Sequence, residues 1–191
     1  LTNVGRWSGT AWVDVAGGVS GGTTPTVNAL FPYNDGSGNA LYVGGTFTTA
    51  GGGAITTSPR LVRWNGAAWS GVGGGVNSSP LCFASFNDST GTALVMGGAI
   101  TSVGPTGDAA AVSRLVKWNG VSLSSLGRGI SGAINALVEL PGTTPTLLAV
   151  GDLTRAGNQS TEGVATWNGS GWTILGSSAF NATPTSAAYC N

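Results

Sequence analysis

Apolar residues recur along the chain as short runs separated by turn residues, and no stretch shows the periodicity of an amphipathic helix. One apolar run appears three times and ends at a glycine pair or a variant of it: "ALYVGGTFTTAG" from Ala40, "ALVMGGAITSVG" from Ala93 and "LLAVGDLTRAG" from Leu147. In the third copy Asp152 occupies the second glycine position. We expect a left-handed bend to survive there, because Asp tolerates positive φ. A further apolar run precedes each copy, from Thr26, Leu81 and Ala133.

Tryptophan marks a second recurring element, written "WSGTAW", "WNGAAW", "WNGVSL" and "WNGSGW". Asn-Gly between apolar residues is the strongest short hairpin signal, so these phrases predict hairpins with two-residue type I′ loops. Such a loop sets Trp64 opposite Ala67, with Trp69 diagonally across on the same face. We expect these tryptophans to pack between sheets, and a ligand-stacking platform is the alternative. All seven fall in repeat positions: Trp7, Trp12, Trp64, Trp69, Trp118, Trp167 and Trp172.

Four short strands repeated about every 50 residues are typical of a β-propeller blade. The chain is therefore predicted to be one all-β domain, a β-propeller of about four blades. Complete repeats are expected at 27–72, 81–126 and 134–175, with a closing blade formed by 4–15 together with 183–191. The closing blade would take its first strand from Ser186–Cys190 and would lack its second strand. Exposed strand edges template further pairing, so another chain is expected to cover this one.

The glycine pairs Gly44-Gly45 and Gly97-Gly98, followed by the spaced aromatics Trp64 and Trp69, resemble the kelch repeat. The spacing is longer than is usual in that family, and Trp replaces its typical Tyr. The resemblance implies a propeller fold. Members of the family serve as binding platforms, as actin and degradation adaptors, and as the scaffold of a copper oxidase.

Charge is scarce: 7% of residues are charged and the formal net charge is zero. No basic field is available to attract phosphates, so nucleic acid and anionic membranes are not expected partners. No apolar run reaches the roughly 18 residues that span a bilayer, so membrane insertion is not expected. Abundant Ser, Thr and Gly, and a start at Leu1 without a leader, lead us to expect a secreted or cell-surface protein, processed or truncated.

Few side chains are available for catalysis, because the chain contains no His and only two Cys. The absence of His removes the common general base, the usual metal ligand and the copper chemistry of the kelch-like oxidase. The phosphate-binding pattern G-x-x-x-x-G-K is also missing, so we expect no enzyme activity, cofactor or metal. Asp35 and Asp88 fall in equivalent Asn-Asp turns, where a turn role is favoured over weak calcium binding or catalysis. The other acids are Asp14, Asp108, Glu139, Asp152 and Glu162.

Basic residues are patterned as well, since Arg6, Arg63 and Lys117 each precede an opening Trp. Arg60 and Arg114 lie three positions before two of those tryptophans. Alternation places Arg63 on the face opposite Trp64. The favoured interpretation is that each cation is solvated or pairs with an acid of the neighbouring blade, and a repeated anion site is the alternative.

Two modifications are predicted for a secreted product. Cys82 and Cys190 are a candidate disulfide, but the alignment offsets them by roughly 10 to 13 Å along the strands, whereas a bond needs Cα atoms within about 7 Å. Secretion favours the bond and geometry opposes it, so both states stay open. Glycans on this weakly charged surface would add solubility. The candidate glycosylation sites are Asn77, Asn87, Asn158, Asn168 and Asn181.

These observations predict a non-catalytic, extracellular structural protein that assembles with copies of itself into a fibre or surface layer. The alternative is a lectin-like or adaptor module that recognises carbohydrate or protein. A hydrolase built on a carboxylate pair is the third hypothesis.

Overall fold

The computed structural model of the chain describes residues 1–105, 110–127, 129–175 and 183–188. Every regular element in these ranges is a β-strand, which confirms the all-β prediction. In chain order the strands are β1 (Gly5–Trp7), β2 (Trp12–Asp14), β3 (Val19–Ser20), β4 (Val27–Asn34), β5 (Asn39–Gly45), β6 (Thr49–Ala50), β7 (Leu61–Trp64), β8 (Trp69–Gly71), β9 (Pro80–Asp88), β10 (Gly91–Gly98), β11 (Ser102–Val103), β12 (Ala110–Ala111), β13 (Leu115–Trp118), β14 (Leu123–Ser125), β15 (Ile134–Leu140), β16 (Thr146–Gly151), β17 (Arg155–Ala156), β18 (Gln159–Ser160), β19 (Val164–Trp167) and β20 (Trp172–Ile174).

Three four-stranded antiparallel sheets form the body of the fold. Sheet I has the order β4-β5-β7-β8, sheet II the order β9-β10-β13-β14 and sheet III the order β15-β16-β19-β20. Their strands span 27–71, 80–125 and 134–174, against the expected repeats of 27–72, 81–126 and 134–175. Apart from short extra strands, each strand pairs with its neighbour in sequence, as repeated apolar runs joined by tight turns require.

The glycine pair at the end of β5 is required by close packing. Neither Gly44 nor Gly45 has positive φ, so the expected left-handed bend is wrong. A Cβ on Gly44 would lie 2.7 Å from Pro80 Cβ of sheet II, and one on Gly45 would lie 2.0 Å from Thr26 O. The pair in β10 is confined in the same way. The glycines therefore let the next sheet approach this edge closely.

Sheet III departs from the predicted alignment by one residue. A Cβ on Gly151 would lie 2.2 Å from Ala133 O, and Asp152 N donates a hydrogen bond to the same oxygen at 2.9 Å. Gly45 has the same relation to the carbonyl that precedes β4. Gly151 thus holds the second glycine position and Val150 the first, so the placement of Asp152 in the glycine pair is wrong. The side chain of Val150 is 4% exposed at this first position.

The sheets pack in the order I, II, III, because β9 lies against both β4 and β15. We call the side of each sheet that carries the hairpin tryptophans its Trp face, and the other side its rear face. Leu94 and Trp118 on the Trp face of sheet II pack against Tyr42 and Leu61 on the rear face of sheet I. Sheet III packs its Trp face on sheet II in the same orientation. One type of interface is therefore used twice.

The N-terminal segment covers part of the Trp face of sheet I. Strands β1 and β2 form a separate hairpin, and the chain then packs Val4, Val15 and Val19 against sheet I. Trp69 Nε1 donates a hydrogen bond to Val15 O at 2.7 Å. This segment contains the equivalents of the two outer strands of a sheet and lacks the two inner ones.

Short antiparallel bridges tie each unit to the next. The segment after the last strand of the N-terminal hairpin, of sheet I or of sheet II pairs with the segment after the second strand of the following sheet. We call these bridges staples, and they join Val19 to Ala50, Val76 to Val103, and Ser131 to Arg155.

Residues 183–188 run beside sheet III without forming a strand. Asn135 Nδ2 donates to Pro184 O at 3.1 Å, much as Asn28 Nδ2 of sheet I donates to Ser79 Oγ, just before β9, at 2.7 Å. Residues 189–191 lie outside the described ranges. No pairing between described residues joins sheet III to the β1–β2 hairpin, so the closed propeller and its closing blade stay predictions. The described chain has no helix of the length and apolarity needed to cross a bilayer.

Candidate functional site

The tryptophan hairpins have longer loops than the sequence predicts. Trp64 pairs directly with Trp69, and the loop between them has four residues. Asn65 Oδ1 accepts hydrogen bonds from Ala67 N at 2.9 Å and Ala68 N at 2.8 Å. The two-residue type I′ loop is therefore wrong, because the Asn side chain caps the turn and only Gly66 takes a positive φ, 98°.

Direct pairing brings the two aromatic rings of three hairpins together, as edge or tilted contacts. The fourth hairpin pairs Trp118 with Leu123 instead. Ring-centroid distances are 5.7 Å for Trp7–Trp12, 5.4 Å for Trp64–Trp69 and 5.3 Å for Trp167–Trp172.

Burial of these tryptophans differs sharply along the chain. Trp118 is 6% exposed and Trp167 is 7% exposed, because the rear face of the preceding sheet covers each. Trp7 and Trp12 are 53% and 63% exposed. The expected packing role therefore holds within the stack, whereas the pair on the first hairpin lies open to solvent.

A buried polar cluster joins sheets I and II. The side chain of Asp35, at the turn after β4, is 1% exposed and forms an ion pair with Arg63 of the same sheet. Its Oδ2 also accepts hydrogen bonds from Tyr42 Oη at 2.6 Å and from Trp118 Nε1 of sheet II at 3.1 Å. We call these four residues the Asp35 cluster. The ion pair with Asp35 accounts for the position of Arg63, which directly precedes Trp64 and lies on the other face of the sheet.

The cluster shifts the pKa values of Asp35 and Tyr42 in opposite directions. Burial would raise the pKa of Asp35, but hydrogen bonds from Ser37, Tyr42 and Trp118 lower it far below its usual range. Burial and the hydrogen bond to Asp35 raise the pKa of Tyr42 to about 12. Asp35 is thus held as a carboxylate and Tyr42 as a neutral phenol.

Alkaline pH is expected to destabilise the protein partly through Tyr42. The pKa of this residue is about 12 when folded and about 10 when unfolded, so its contribution is complete below pH 10 and is lost as pH rises through 12. Tyr42→Phe should lower unfolding free energy at pH 7 by about 1 to 2 kcal/mol and weaken the pH dependence between 10 and 12. Urea titrations of both proteins at several pH values test this, and parallel pH profiles would contradict it.

Sheet II carries a simpler version of the cluster. Asp88 pairs with Lys117 at 2.8 Å and accepts the Thr90 hydroxyl at 2.6 Å. Val95 occupies the position of Tyr42, and Trp167 Nε1 of sheet III is buried with no hydrogen-bond partner among the described residues. Burial would raise the pKa of Asp88, and hydrogen bonds from Lys117 and Thr90 lower it. In the described residues, Asp88 therefore receives no hydrogen bond from the next sheet like the one that Asp35 receives from Trp118.

The patterned cations do not converge on an anion site. Arg63 and Lys117 pair with acids of their own sheets, so the expected pairing with a neighbouring blade is wrong for both. Arg60 and Arg114 both adopt φ of 66° and donate to backbone carbonyls, at 3.4 and 2.9 Å. No signal in the sequence indicates the left-handed backbone at these two arginines.

The remaining acids are dispersed. Asp14 accepts a turn hydrogen bond from Gly17 N at 2.6 Å, and Glu139 accepts one from Ser85 Oγ at 3.2 Å. Asp152 accepts from Thr183 Oγ1 at 2.9 Å, while Asp108 lies outside the described residues. Within the described ranges, no three acidic or sulfur ligands are grouped to hold a metal ion. The Asn-Asp turns serve as turns and as ion-pair anchors.

The candidate modification sites differ in their surroundings. Asn77 is locked, since its amide oxygen accepts from Thr101 N and Ser102 N and its Nδ2 donates to Thr101 Oγ1 at 2.7 Å. Asn77 is nevertheless exposed, as are Asn87, Asn158 and Asn168, and Asn181 lies outside the described residues.

The cysteine pairing is untested, because Cys190 also lies outside the described residues. Cys82 is set between sheets II and III, where burial raises its pKa to about 12. A thiol with so high a pKa is a poor nucleophile at neutral pH.

An open groove of about 750 Å³ lies on sheet I at its turn end. We call it the sheet I groove. Its lining includes Phe31, Tyr33 and Trp64 with the carboxamides Asn34, Asn39 and Asn65. The groove runs along the edge strand β4, and its lining comes from both faces of sheet I and from Ser85 of sheet II.

No family model, curated protein or solved structure matches this chain significantly. The resemblance to kelch repeats therefore remains a hypothesis that rests on the residues alone.

Proposed function

We propose that this chain is a non-catalytic structural subunit, extracellular or on a cell surface, that assembles head to tail with copies of itself. The observation that carries the proposal is the exposed pair Trp7 and Trp12. The equivalent Trp118 and Trp167 are buried by the rear face of a preceding sheet. A solvent-exposed copy of a repeated buried surface is a natural interaction site.

The other end of the stack offers the complementary surface. On the rear face of sheet III, Val138, Leu140 and Leu148 are half-buried, whereas Phe86 and Val95 at equivalent positions of sheet II are 1% and 0% exposed. The Trp face of one copy can therefore dock on the rear face of sheet III in the next, with the geometry used twice inside the chain. Such a head-to-tail contact does not close on itself and generates a fibre.

A closed four-bladed propeller is the alternative arrangement, in which the β1–β2 hairpin would cover the rear face of sheet III of the same chain. The contacts of residues 183–188 support that alternative. They lie beside sheet III where a following inner strand would start, as the hydrogen bonds of Asn135 and Asn28 indicate. A non-catalytic role is supported by Asp35 and Asp88, whose carboxylates are both committed to cations and turns.

Sedimentation velocity over a range of concentrations tests the assembly. The wild-type chain should form species larger than a monomer as concentration rises, and a Trp7→Ser/Trp12→Ser variant should stay monomeric, because buried tryptophans dominate interface energies. Val121→Ser is the matched control, since Val121 is 84% exposed in the hairpin loop of sheet II and away from the Trp faces.

A monomeric wild-type chain at the highest concentrations would overturn the proposal. Equal assembly of the wild type and the double variant would place the contact elsewhere and would also contradict it.

A further inference from the structure

The sheet I groove lies beside an uncovered part of the Trp face of sheet I, and the same face is buried in sheets II and III. Leu30, on the Trp face of β4, is 52% exposed, whereas its equivalents Phe83 and Leu137 are 8% and 7% exposed. The valines before and after the β1–β2 hairpin form a cluster with Val43 on another part of this face. A concave and partly apolar surface is thereby left open beside Trp64.

We propose that the sheet I groove binds a neutral carbohydrate chain. Trp64 supplies a partly exposed indole, which Trp69 holds in place at a centroid distance of 5.4 Å. Sugar rings carry apolar C–H faces that pack on aromatic rings, and a ring fixed by its neighbours loses little entropy on binding. Pro32 and Leu41, on the same face as Trp64, extend the apolar lining.

The polar groups of the groove are pre-oriented amides. Asn65 Oδ1 accepts two backbone hydrogen bonds in its hairpin, and Asn34 Oδ1 accepts from Gly36 N at 2.9 Å and from Gly38 N at 3.2 Å. With both oxygens fixed by their turns, the two NH₂ groups are left to donate to a ligand. Fixed amide donors beside an aromatic platform match the alternating hydroxyl and C–H surfaces of a sugar.

Charge decides the class of carbohydrate. No Asp, Glu, Lys or Arg lines the groove in the described residues. The nearby cation Arg63 is neutralised by Asp35. The groove therefore offers no charge to hold a phosphate, sulfate or uronate group, and an uncharged glycan fits it better.

Isothermal titration calorimetry of the full chain against cellohexaose, maltohexaose, xylohexaose, mannohexaose and chitohexaose tests the proposal. At least one should bind, and Trp64→Ala should raise its Kd by at least about tenfold, whereas Trp64→Phe should change it by less than about threefold. Asn65→Asp keeps the turn-capping oxygen and removes the NH₂ donor, so it should raise Kd by about fivefold. The matched control is Asn119→Asp, since Asn119 caps the equivalent hairpin of sheet II outside the groove.

Absence of binding by all five sugars at millimolar concentration would overturn the proposal. So would equal affinity of the wild type and Asn65→Asp, or equal losses in Asn65→Asp and Asn119→Asp. Repeating the titrations in the Trp7→Ser/Trp12→Ser background separates this site from assembly, because the groove does not use either tryptophan.

Discussion

Asp35→Asn should lower the free energy of unfolding by about 3 to 5 kcal/mol, because it leaves a partly buried guanidinium without its counter-charge. Asp35 Oδ2 receives hydrogen bonds from Arg63, Tyr42 and Trp118, and Oδ1 receives two from Ser37. Either orientation of an Asn side chain would turn an NH₂ group toward other donors. Urea denaturation at pH 7 measures the loss.

Asp88→Asn is the matched comparison, with an expected loss of about 1 to 3 kcal/mol. The Asp88 side chain is 10% exposed, and its hydrogen-bond partners among the described residues are Lys117 and Thr90, so the substitution leaves fewer groups without a partner. Equal losses in the two variants would show that the contacts across the interface between sheets I and II add nothing.

Acid pH gives a second measurement on the same residue. The pKa of Asp35 is lowered in the folded state, so its contribution is complete above the unfolded value near 4 and is lost as pH falls through the folded value. The wild-type chain should therefore lose stability below about pH 4 more steeply than Asp35→Asn. Identical acid profiles would contradict the assigned role.

Gly97→Ala should cost about 2 to 3 kcal/mol by overpacking the contact between sheets II and III. The added Cβ would lie 2.6 Å from Ile134 Cγ2 and 2.8 Å from Ile134 Cβ, and β15 would have to move. Gly171→Ala is the matched control. No atom lies within 4 Å of its added Cβ, and Ala68 occupies the same loop position in sheet I.

Thermal unfolding followed by circular dichroism distinguishes these glycine variants. A clear drop in Tm for Gly97→Ala beside an unchanged Tm for Gly171→Ala is expected. Similar shifts in both would mean that loss of glycine itself, and not the approach of sheet III, sets the cost.

The repeats, the four strands in each main sheet and the positions of the hairpins were predictable, because they depend on local patterns. Asn65-Gly66 marks a turn in any context. The loop length was not predictable, because a side-chain oxygen that caps two backbone amides competes with the type I′ geometry. The left-handed φ of Arg60 and Arg114 also depends on surrounding structure that the sequence pattern does not encode.

Contacts between sheets explain the other differences. The glycine pair is needed because Pro80 or Ile134 of the following sheet packs there, which only the folded chain reveals. The role of Tyr42 was missed for a related reason, since Val95 and Leu148 hold its position in the other sheets and break the repeat pattern. The equivalence of Asp35 and Asp88 was visible in the sequence, whereas their pairing with Arg63 and Lys117 of the same sheet depends on the folded turn.

Because of the staples, the local stability against unfolding depends on position in the stack of sheets. Sheet I is tied by Val19–Ala50 before it and Val76–Val103 after it, and sheet II by Val76–Val103 and Ser131–Arg155. Within the described residues, sheet III is tied by Ser131–Arg155 alone. In a linear array of this kind each unit is stabilised by contacts with its immediate neighbours. Local unfolding therefore starts at the ends and moves inward. The centre of the chain would then be the last part to exchange its amide protons.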